Sequence, residues 1–303
     1  MVLIPGASVA RQDAAMNTIK GGRHAVLGAA LLWMGVTAAA PAADGPVLRM
    51  EVAPGQVATA RVEAQGTLAL LLPSGRQQRL DGVADADGGA RLSQLDVDFD
   101  GHPELVARAS VGQVNEAVAV YRFDSQQARF VPLALPASSH EQCGGLMGLD
   151  VDAANRTLSS SCRSGPMWYV DLYRYHDGRL YLYRAERTLM LGDALEATIF
   201  VKQTAESGPM AVWSTFDPAG NVLETAISDG LVAPRSDRRL LAFSGQVVPA
   251  RLPLYARPGD TATRRHLVRD DRVELLDEKD GWVKVRYANP TRGDIFGWVN
   301  ANP

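Results

Sequence analysis

The chain has 303 residues, of which 31 are basic and 34 are acidic, and its formal net charge at neutral pH is −3. This acidic balance argues against nucleic-acid binding, which needs a basic surface. Beyond the N-terminal region no segment is long and apolar enough for a transmembrane helix, so we expect no membrane insertion.

The N-terminal region has the order of a secretory signal peptide. A short basic stretch at residues 20–24 precedes an apolar run over residues 25–37, and small residues follow at positions 38–43. The apolar run is too short to span a bilayer. We therefore predict that residues 1–42 comprise an upstream extension and a signal peptide cleaved after Ala42, and that the remainder is exported.

Residues 43–245 form short runs of alternating apolar and polar residues. Runs such as residues 117–123 and 178–183 suit half-buried strands, and polar turns recur at intervals of about ten residues. This spacing predicts an all-β domain, an antiparallel meander arranged as a sandwich or in a propeller-like way. The only helical turn expected lies near residues 185–194.

An acidic loop at residues 96–104 lies between two of the predicted strands. Carboxylates stand at alternate positions around Gly101, which allows a sharp turn, and the carbonyl of His102 can add one more oxygen. Because carboxylates at close range repel one another and calcium takes six to eight oxygens, this loop predicts a calcium site. The predicted ligands are Asp96, Asp98, Asp100, His102 and Glu104.

The last ligand position distinguishes this loop from an EF-hand, which has a bidentate glutamate at loop position 12. Here that position is Ala107, which excludes a helix–loop–helix site. The loop resembles instead the shorter calcium loops between strands of integrin-like β-proteins. A solvated acidic turn without an ion is the alternative.

The two cysteines, Cys143 and Cys162, flank a predicted hairpin whose turn lies near residues 152–155. Because the turn is central, the cysteines should meet across the open end of the hairpin, and we predict a disulfide. A soft-metal site would need more ligands, and a catalytic cysteine does not usually occur in such a pair.

The last part of the chain, residues 246–303, changes to the pattern of a small β-barrel. Its Tyr-Ala-x-Pro segment, Gly-Trp-Val-Lys-Val strand and closing Gly-Trp-Val resemble a bacterial SH3 domain. The resemblance implies a ligand face, for example for peptidoglycan peptides, made by Tyr255, Trp282 and Trp298. The alternative is that these aromatic residues fill the small barrel.

Motifs that mark common enzymes are missing from the sequence. The chain contains no Gly-x-Ser-x-Gly elbow, no His-Glu-x-x-His and no phosphate-binding Gly-rich loop followed by lysine. A pair of glycosidase-type carboxylates has no sequence signature and stays open. We expect a binding protein rather than an enzyme.

Several motifs occur together in one order. The acidic loop precedes Cys143, then Arg-Thr-Leu-x-Ser-x-Cys, Ser-Gly-Pro and Tyr-Arg-Tyr-x-Asp-Gly-x-Leu, all within about residues 85–190. This order resembles periplasmic immunity proteins paired with peptidoglycan-hydrolase effectors of type IV secretion systems. Those proteins are in turn similar to I-type lysozyme inhibitors.

The resemblance implies a periplasmic inhibitor whose protein partner is a peptidoglycan hydrolase. In such inhibitors a loop containing Ser-Gly, followed by Tyr, enters the active-site cleft of the target. The matching residues here are Arg163, Ser164, Gly165 and Tyr169, and the segment Ser74-Gly75-Arg76 is a second candidate loop. The alternatives are an ordinary β-turn at Ser-Gly-Pro and, for the whole chain, a wall-binding SH3 module with a structural β-domain.

Overall fold

The computed structural model describes residues 46–189, 191–203 and 207–301. The predicted signal peptide and its cleavage position lie outside these residues. One 3-10 turn, η1 (Ala64–Gly66), and one short helix, α1 (Gly192–Glu196), occur among 21 strands. The strands are β1 (Leu48–Ala53), β2 (Gln56–Val62), β3 (Leu68–Leu71), β4 (Gln77–Leu80), β5 (Arg91–Leu95), β6 (Glu104–Val111), β7 (Asn115–Asp124), β8 (Arg129–Pro132), β9 (Asp150–Asp152), β10 (Thr157–Ser164), β11 (Met167–His176), β12 (Arg179–Thr188), β13 (Ile199–Val201), β14 (Met210–Phe216), β15 (Val222–Asp229), β16 (Ser244–Val247), β17 (Arg251–Pro253), β18 (His266–Val268), β19 (Arg272–Lys279), β20 (Trp282–Asn289) and β21 (Gly293–Asn300).

The strands form four antiparallel sheets and one two-stranded ribbon. Sheet 1 is β1-β2-β3-β4 and sheet 2 is β5-β6-β7-β8, each a meander in chain order. Sheet 3 has the order β15-β14-β12-β11-β10-β9, sheet 4 has the order β13-β16-β19-β20-β21, and β17 pairs with β18. These sheets confirm the predicted all-β, antiparallel fold.

Sheet 2 is buried on both faces because it packs between sheets 1 and 3. On β6, Leu105 and Ala107 belong to the core shared with sheet 1, whereas Val106 belongs to the core shared with sheet 3. Successive strand residues point to opposite faces, so a strand covered on both sides needs a continuous apolar run. The run Leu105-Val106-Ala107 meets this requirement.

The C-terminal sheet shares a third core with sheet 3. Val212 and Ile227 of sheet 3 pack with Leu275 and Val285 of sheet 4. Strand β13 lies well before residue 246 in the chain, yet it pairs with β16 along the edge of sheet 4. The C-terminal segment therefore completes a sheet that begins in the preceding region.

Helix α1 lies slightly later in the chain than the helical turn that the sequence suggested. Strand β12 continues to Thr188, and α1 begins at Gly192 with Leu195 buried in the third core. Within the described ranges, no helix has the length and apolar character needed to cross a bilayer.

Candidate functional site

The acidic loop closes the hairpin between β5 and β6. Leu95, at the end of β5, is paired with Glu104, the first residue of β6. Because the two strands are antiparallel, this pairing places Glu104 beside the loop residues that follow Leu95. The Val97 N–H donates to Glu104 Oε2 at 2.8 Å across the loop.

Three of the predicted carboxylates come together. One oxygen from each of Asp96, Asp98 and Glu104 lies within 4.8 Å of the others. Calcium holds its oxygens at about 2.3–2.6 Å, so two ligands on opposite sides of the ion are about 4.6–5.2 Å apart. The three oxygens are therefore close enough together to surround one divalent cation of this size.

Asp100 and His102 are placed differently. The Asp100 carboxylate is outside the group of three, and its Oδ1 accepts the His102 N–H at 2.7 Å. Both residues line one open cavity with Asp98 and Glu104. The three carboxylates thus form part of a cation site, and Asp100 and His102 can offer further oxygens from the same cavity.

The backbone of the loop is fixed by its own first carboxylate. Asp96 accepts the N–H groups of Asp100 and Gly101 at 3.2 and 3.0 Å. Phe99 and Gly101 have positive φ values of 63° and 89°, which tighten the turn. The turn of the loop is therefore held by hydrogen bonds within the loop itself.

The electrostatics of the site disfavour three bare carboxylates. Burial, and to a smaller extent the charges of the nearby Asp98 and Asp100, raise the pKa of Glu104 to about 7 against the lowering effect of the Val97 hydrogen bond. Burial, together with Asp100, also raises the pKa of Asp98. Arg122 lies 3.7 Å from Asp98 and compensates part of this charge. A divalent cation would remove the remaining repulsion.

Tyr175 of β11 completes the surroundings of the loop. Its ring contacts Phe99 edge-to-face at 6.3 Å, and it lines one cavity with Asp98 and Asp100. Its hydroxyl is the one buried side-chain polar group of the described residues without a hydrogen-bond partner. A hydrated cation in this cavity would bring water oxygens that can accept this proton. The spacing of the acidic loop contains no signal for Tyr175 or Arg122, because both come from other strands.

The predicted disulfide between Cys143 and Cys162 is present, with the Cα atoms 5.5 Å apart. The segment that carries Cys143 is also held by a buried carboxylate, since Asp171 accepts the N–H groups of Gln142 and Cys143 at 2.9 Å each. Burial raises the pKa of Asp171 to about 6. The disulfide and Asp171 together fasten this segment to sheet 3.

The predicted target loop is the tip of the β10–β11 hairpin. Ser164 is paired with Met167, so Gly165 and Pro166 form a two-residue turn in which Gly165 has a φ of 58°. One residue further from the turn, Arg163 is paired with Trp168, and both are exposed.

A neighbouring hairpin supports this tip. The side chain of Asn115, at the start of β7, donates to the Arg163 carbonyl at 3.0 Å and accepts the Arg163 N–H at 2.8 Å. The two hydrogen bonds imitate strand pairing and lock the tips of the two hairpins together. Sequence reasoning missed Asn115, which lies 48 residues away in the chain.

Tyr169 lies behind the tip. It is paired with Cys162, and its hydroxyl is 3.5 Å from Thr188 Oγ1 of the adjacent strand. Because neighbouring residues of a strand point to opposite faces, Tyr169 shares the face of the disulfide, whereas Trp168 shares the face of Arg163. The aromatic residue exposed at the tip is therefore Trp168, whose exposed fraction is 39%.

The second candidate loop is the turn between β3 and β4. Ser74, Gly75 and Arg76 are all exposed, and the Leu72 N–H donates to the Arg76 carbonyl at 2.9 Å. This turn is closed by backbone hydrogen bonds, and it lies in a sheet different from the one that carries the disulfide.

The three aromatic residues of the C-terminal region lie close together. The rings of Tyr255 and Trp282 are in edge contact at 5.1 Å, and Tyr255 forms two backbone hydrogen bonds with Trp298. The register places Trp282 and Trp298 diagonally on one face of β20 and β21. All three side chains are half-buried, so they contribute both to packing and to the surface.

No family model matches the chain, and no curated protein or solved structure matches it.

Proposed function

We propose that this chain is an exported, calcium-stabilised inhibitor that blocks a peptidoglycan hydrolase, in the manner of a periplasmic immunity protein. The observation that carries the proposal is the exposed β10–β11 tip, where Arg163 stands opposite Trp168 on a hairpin fixed by a disulfide. The motif order in the sequence points to the same class of protein.

Rigidity is the first argument. A loop that enters an enzyme cleft loses affinity if it must be ordered on binding. Here the disulfide at Cys162 ends beside Arg163, and Asn115 holds the backbone of Arg163 from the other side. The tip is thus ordered before it meets a partner.

The chemistry of the tip is the second argument. A lysozyme-like cleft contains catalytic carboxylates, and a guanidinium forms strong charge-assisted hydrogen bonds with such groups. Arg163 supplies the guanidinium, and Trp168 supplies a large apolar surface of the kind that dominates protein interfaces. Both side chains point to the same face, so they can engage one partner together.

The calcium site serves the fold in this proposal. Asp96, Asp98 and Glu104 would hold the ion, with Asp100 and the carbonyl of His102 as further oxygen donors. Bound calcium supplies positive charge that neutralises the carboxylates at the start of β6. Glu104 begins β6, and the far end of this strand leads through a turn to Asn115, so the ion would fix the start of the hairpin that supports the tip.

The test is a turbidity assay of peptidoglycan lysis with purified hydrolases, beginning with any that is encoded beside this gene. The full-length exported chain should slow lysis at stoichiometric concentration, and it should not sediment with purified sacculi. If lysis is unchanged across the hydrolases while the protein sediments with sacculi, the inhibitor proposal is wrong.

The second candidate function is attachment to the cell wall through the SH3-like region. It is favoured by the half-buried cluster of Tyr255, Trp282 and Trp298 on one face. The sacculus experiment separates the two functions, since Trp298→Ala should abolish sedimentation only if this cluster binds the wall.

A further inference from the structure

A cavity of about 460 Å³ opens on the other face of sheet 3, away from the core that this sheet shares with sheet 2. Arg174 lies between Tyr173 and Tyr175 on β11, and both tyrosines pack in or against that core. Because strand residues alternate, Arg174 points to the opposite face. On β12, Tyr183 follows the core residue Leu182, so its side chain also points away from that core, and it lines the cavity.

The segment between β15 and β16 crosses this face, and its backbone is held by arginine side chains. Arg184 is fully buried and donates to the carbonyls of Arg235 and Arg238. Arg174 donates to the Ser236 carbonyl. These contacts use carbonyl oxygens, which accept hydrogen bonds without neutralising the guanidinium charge.

Few carboxylates near the cavity are free to balance these arginines. Asp237 is bound by Arg235 through two contacts of 2.7 and 3.0 Å, and Glu224 is shared by Arg184, Thr215 and a backbone N–H. Among the described residues, no carboxylate lies within ion-pair distance of three cavity arginines. These three are Arg174, Arg238 and Arg239.

Two of the cavity arginines are held in place by stacking on the ring of Tyr183. The guanidinium carbon of Arg174 lies 3.8 Å from the centroid of the Tyr183 ring, and that of Arg184 lies 4.9 Å from it. Stacking on an aromatic face orients a guanidinium. Arg174 also donates its Nε–H to Thr157 Oγ1 at 3.2 Å, and Arg184 donates from Nε to Thr215 Oγ1 at 2.8 Å, so both guanidinium groups are fixed as charges in the cavity wall. Arg238 and Arg239 are exposed at the cavity wall, so an incoming anion can reach them.

We propose that this cavity is a binding site for a small oxyanion, a carboxylate or a phosphate group carried by a small molecule. Guanidinium groups recognise both groups through paired hydrogen bonds. The volume falls in the range of small-molecule sites, and Leu223 adds an apolar wall for the rest of such a ligand. This site is separate from the β10–β11 tip and does not depend on the inhibitor proposal.

The test is isothermal titration of the full-length exported chain with inorganic phosphate and, separately, with citrate, at constant ionic strength set by chloride. Saturable binding of either probe supports the site, and the preference between them identifies phosphate or carboxylate as the ligand chemistry. The double variant Arg238→Gln/Arg239→Gln should weaken that binding by about tenfold or more, as expected for the loss of charged hydrogen bonds.

The matched control is Arg257→Gln/Arg292→Gln, which removes the same charge from exposed positions that do not line this cavity. It should bind the probe as the wild type does. Absence of saturable binding for both probes, or equal weakening in the two double variants, would overturn the proposal.

Discussion

Glu104 combines burial, a hydrogen bond from the Val97 N–H and three acidic neighbours, Asp96, Asp98 and Asp100, and its raised pKa makes it sensitive to pH in the neutral range. Its pKa of about 7 means that a cation must compete with a proton for this oxygen through much of the neutral range. Calcium binding should therefore tighten as the pH rises, because metal ligands must be deprotonated.

Calcium should raise the melting temperature of the protein, and EDTA should lower it. At a free calcium concentration about 100-fold above Kd, the gain in the free energy of unfolding is about 2.7 kcal/mol. Asp98→Asn removes a charged oxygen from the group of three and should abolish the gain. Magnesium should replace calcium poorly, since it demands tighter octahedral geometry.

The control for the calcium measurement is Asp152→Asn, because Asp152 caps a similar turn through Asn155 but lies in the β9–β10 hairpin. Its melting temperature should still rise with calcium. A calcium-dependent rise of wild-type size in Asp98→Asn would contradict the assignment of the loop.

Glu186 should make the calcium-free protein less stable as the pH rises. Burial raises its folded-state pKa from 4.5 to about 8, so the folded chain binds this proton more tightly than the unfolded chain does. The resulting stability is complete below about pH 4.5 and is lost as the pH rises towards about 8. Asp171 and Glu104 shift in the same direction.

Glu186→Gln, which keeps an acceptor for the Val170 N–H, should flatten the dependence of the melting temperature on pH in EDTA. At about pH 8 it should be more stable than the wild type. Glu196→Gln at an exposed position should follow the wild type. Parallel curves for Glu186→Gln and the wild type would show that burial of this carboxyl does not control the pH response.

At the residue scale, the sequence predicts those parts of the site that lie close together in the chain. The positions of Asp96, Asp98 and Glu104 follow from spacing within one loop, and the structure brings them together. Arg122 and Tyr175 come from β7 and β11, and only the packing of sheets 2 and 3 places them beside the loop. No spacing rule contains that information.

At the scale of elements, the disulfide ties β10, the first strand of the β10–β11 hairpin, to the segment that carries Cys143. Its cysteines are 19 residues apart, and closing a loop of this size is worth about 3 kcal/mol in the chain-entropy model. The double variant Cys143→Ala/Cys162→Ala should lose about this much in a urea titration. Dithiothreitol should destabilise the wild type and leave the variant unchanged, whereas equal midpoints for all samples would contradict this role.

For the strands, the sequence predicts local features but not the register between strands. The disulfide hairpin and the turn near residues 152–155 were predictable, because apolar runs and Asp/Asn turns are local signals. The orientation of Trp168 against Tyr169 follows only from the register Ser164–Met167, which is set by the tight Gly165-Pro166 turn. The sequence motif alone favoured Tyr169.

At the scale of the whole molecule, the third core joins sheet 3 to the C-terminal sheet. Because β13 pairs with β16, and Val212 and Ile227 pack against sheet 4, the C-terminal region cannot be removed without exposing an apolar surface. The sequence indicated the change of pattern near residue 245 but not this shared core. Function should therefore be tested with point variants of the full chain, because a chain truncated near residue 245 would lose part of this core.

The most direct measurement of the central claim is a titration of hydrolase activity with the purified protein and its tip variants. The wild type should reduce the rate of lysis to zero near one equivalent. Trp168→Ala and Arg163→Ala should each weaken inhibition by about 2 kcal/mol, or about 30-fold, as interface hot spots do. Arg76→Ala, in the second candidate loop, should inhibit as the wild type does. Full potency in both tip variants, or a loss confined to Arg76→Ala, would contradict the account.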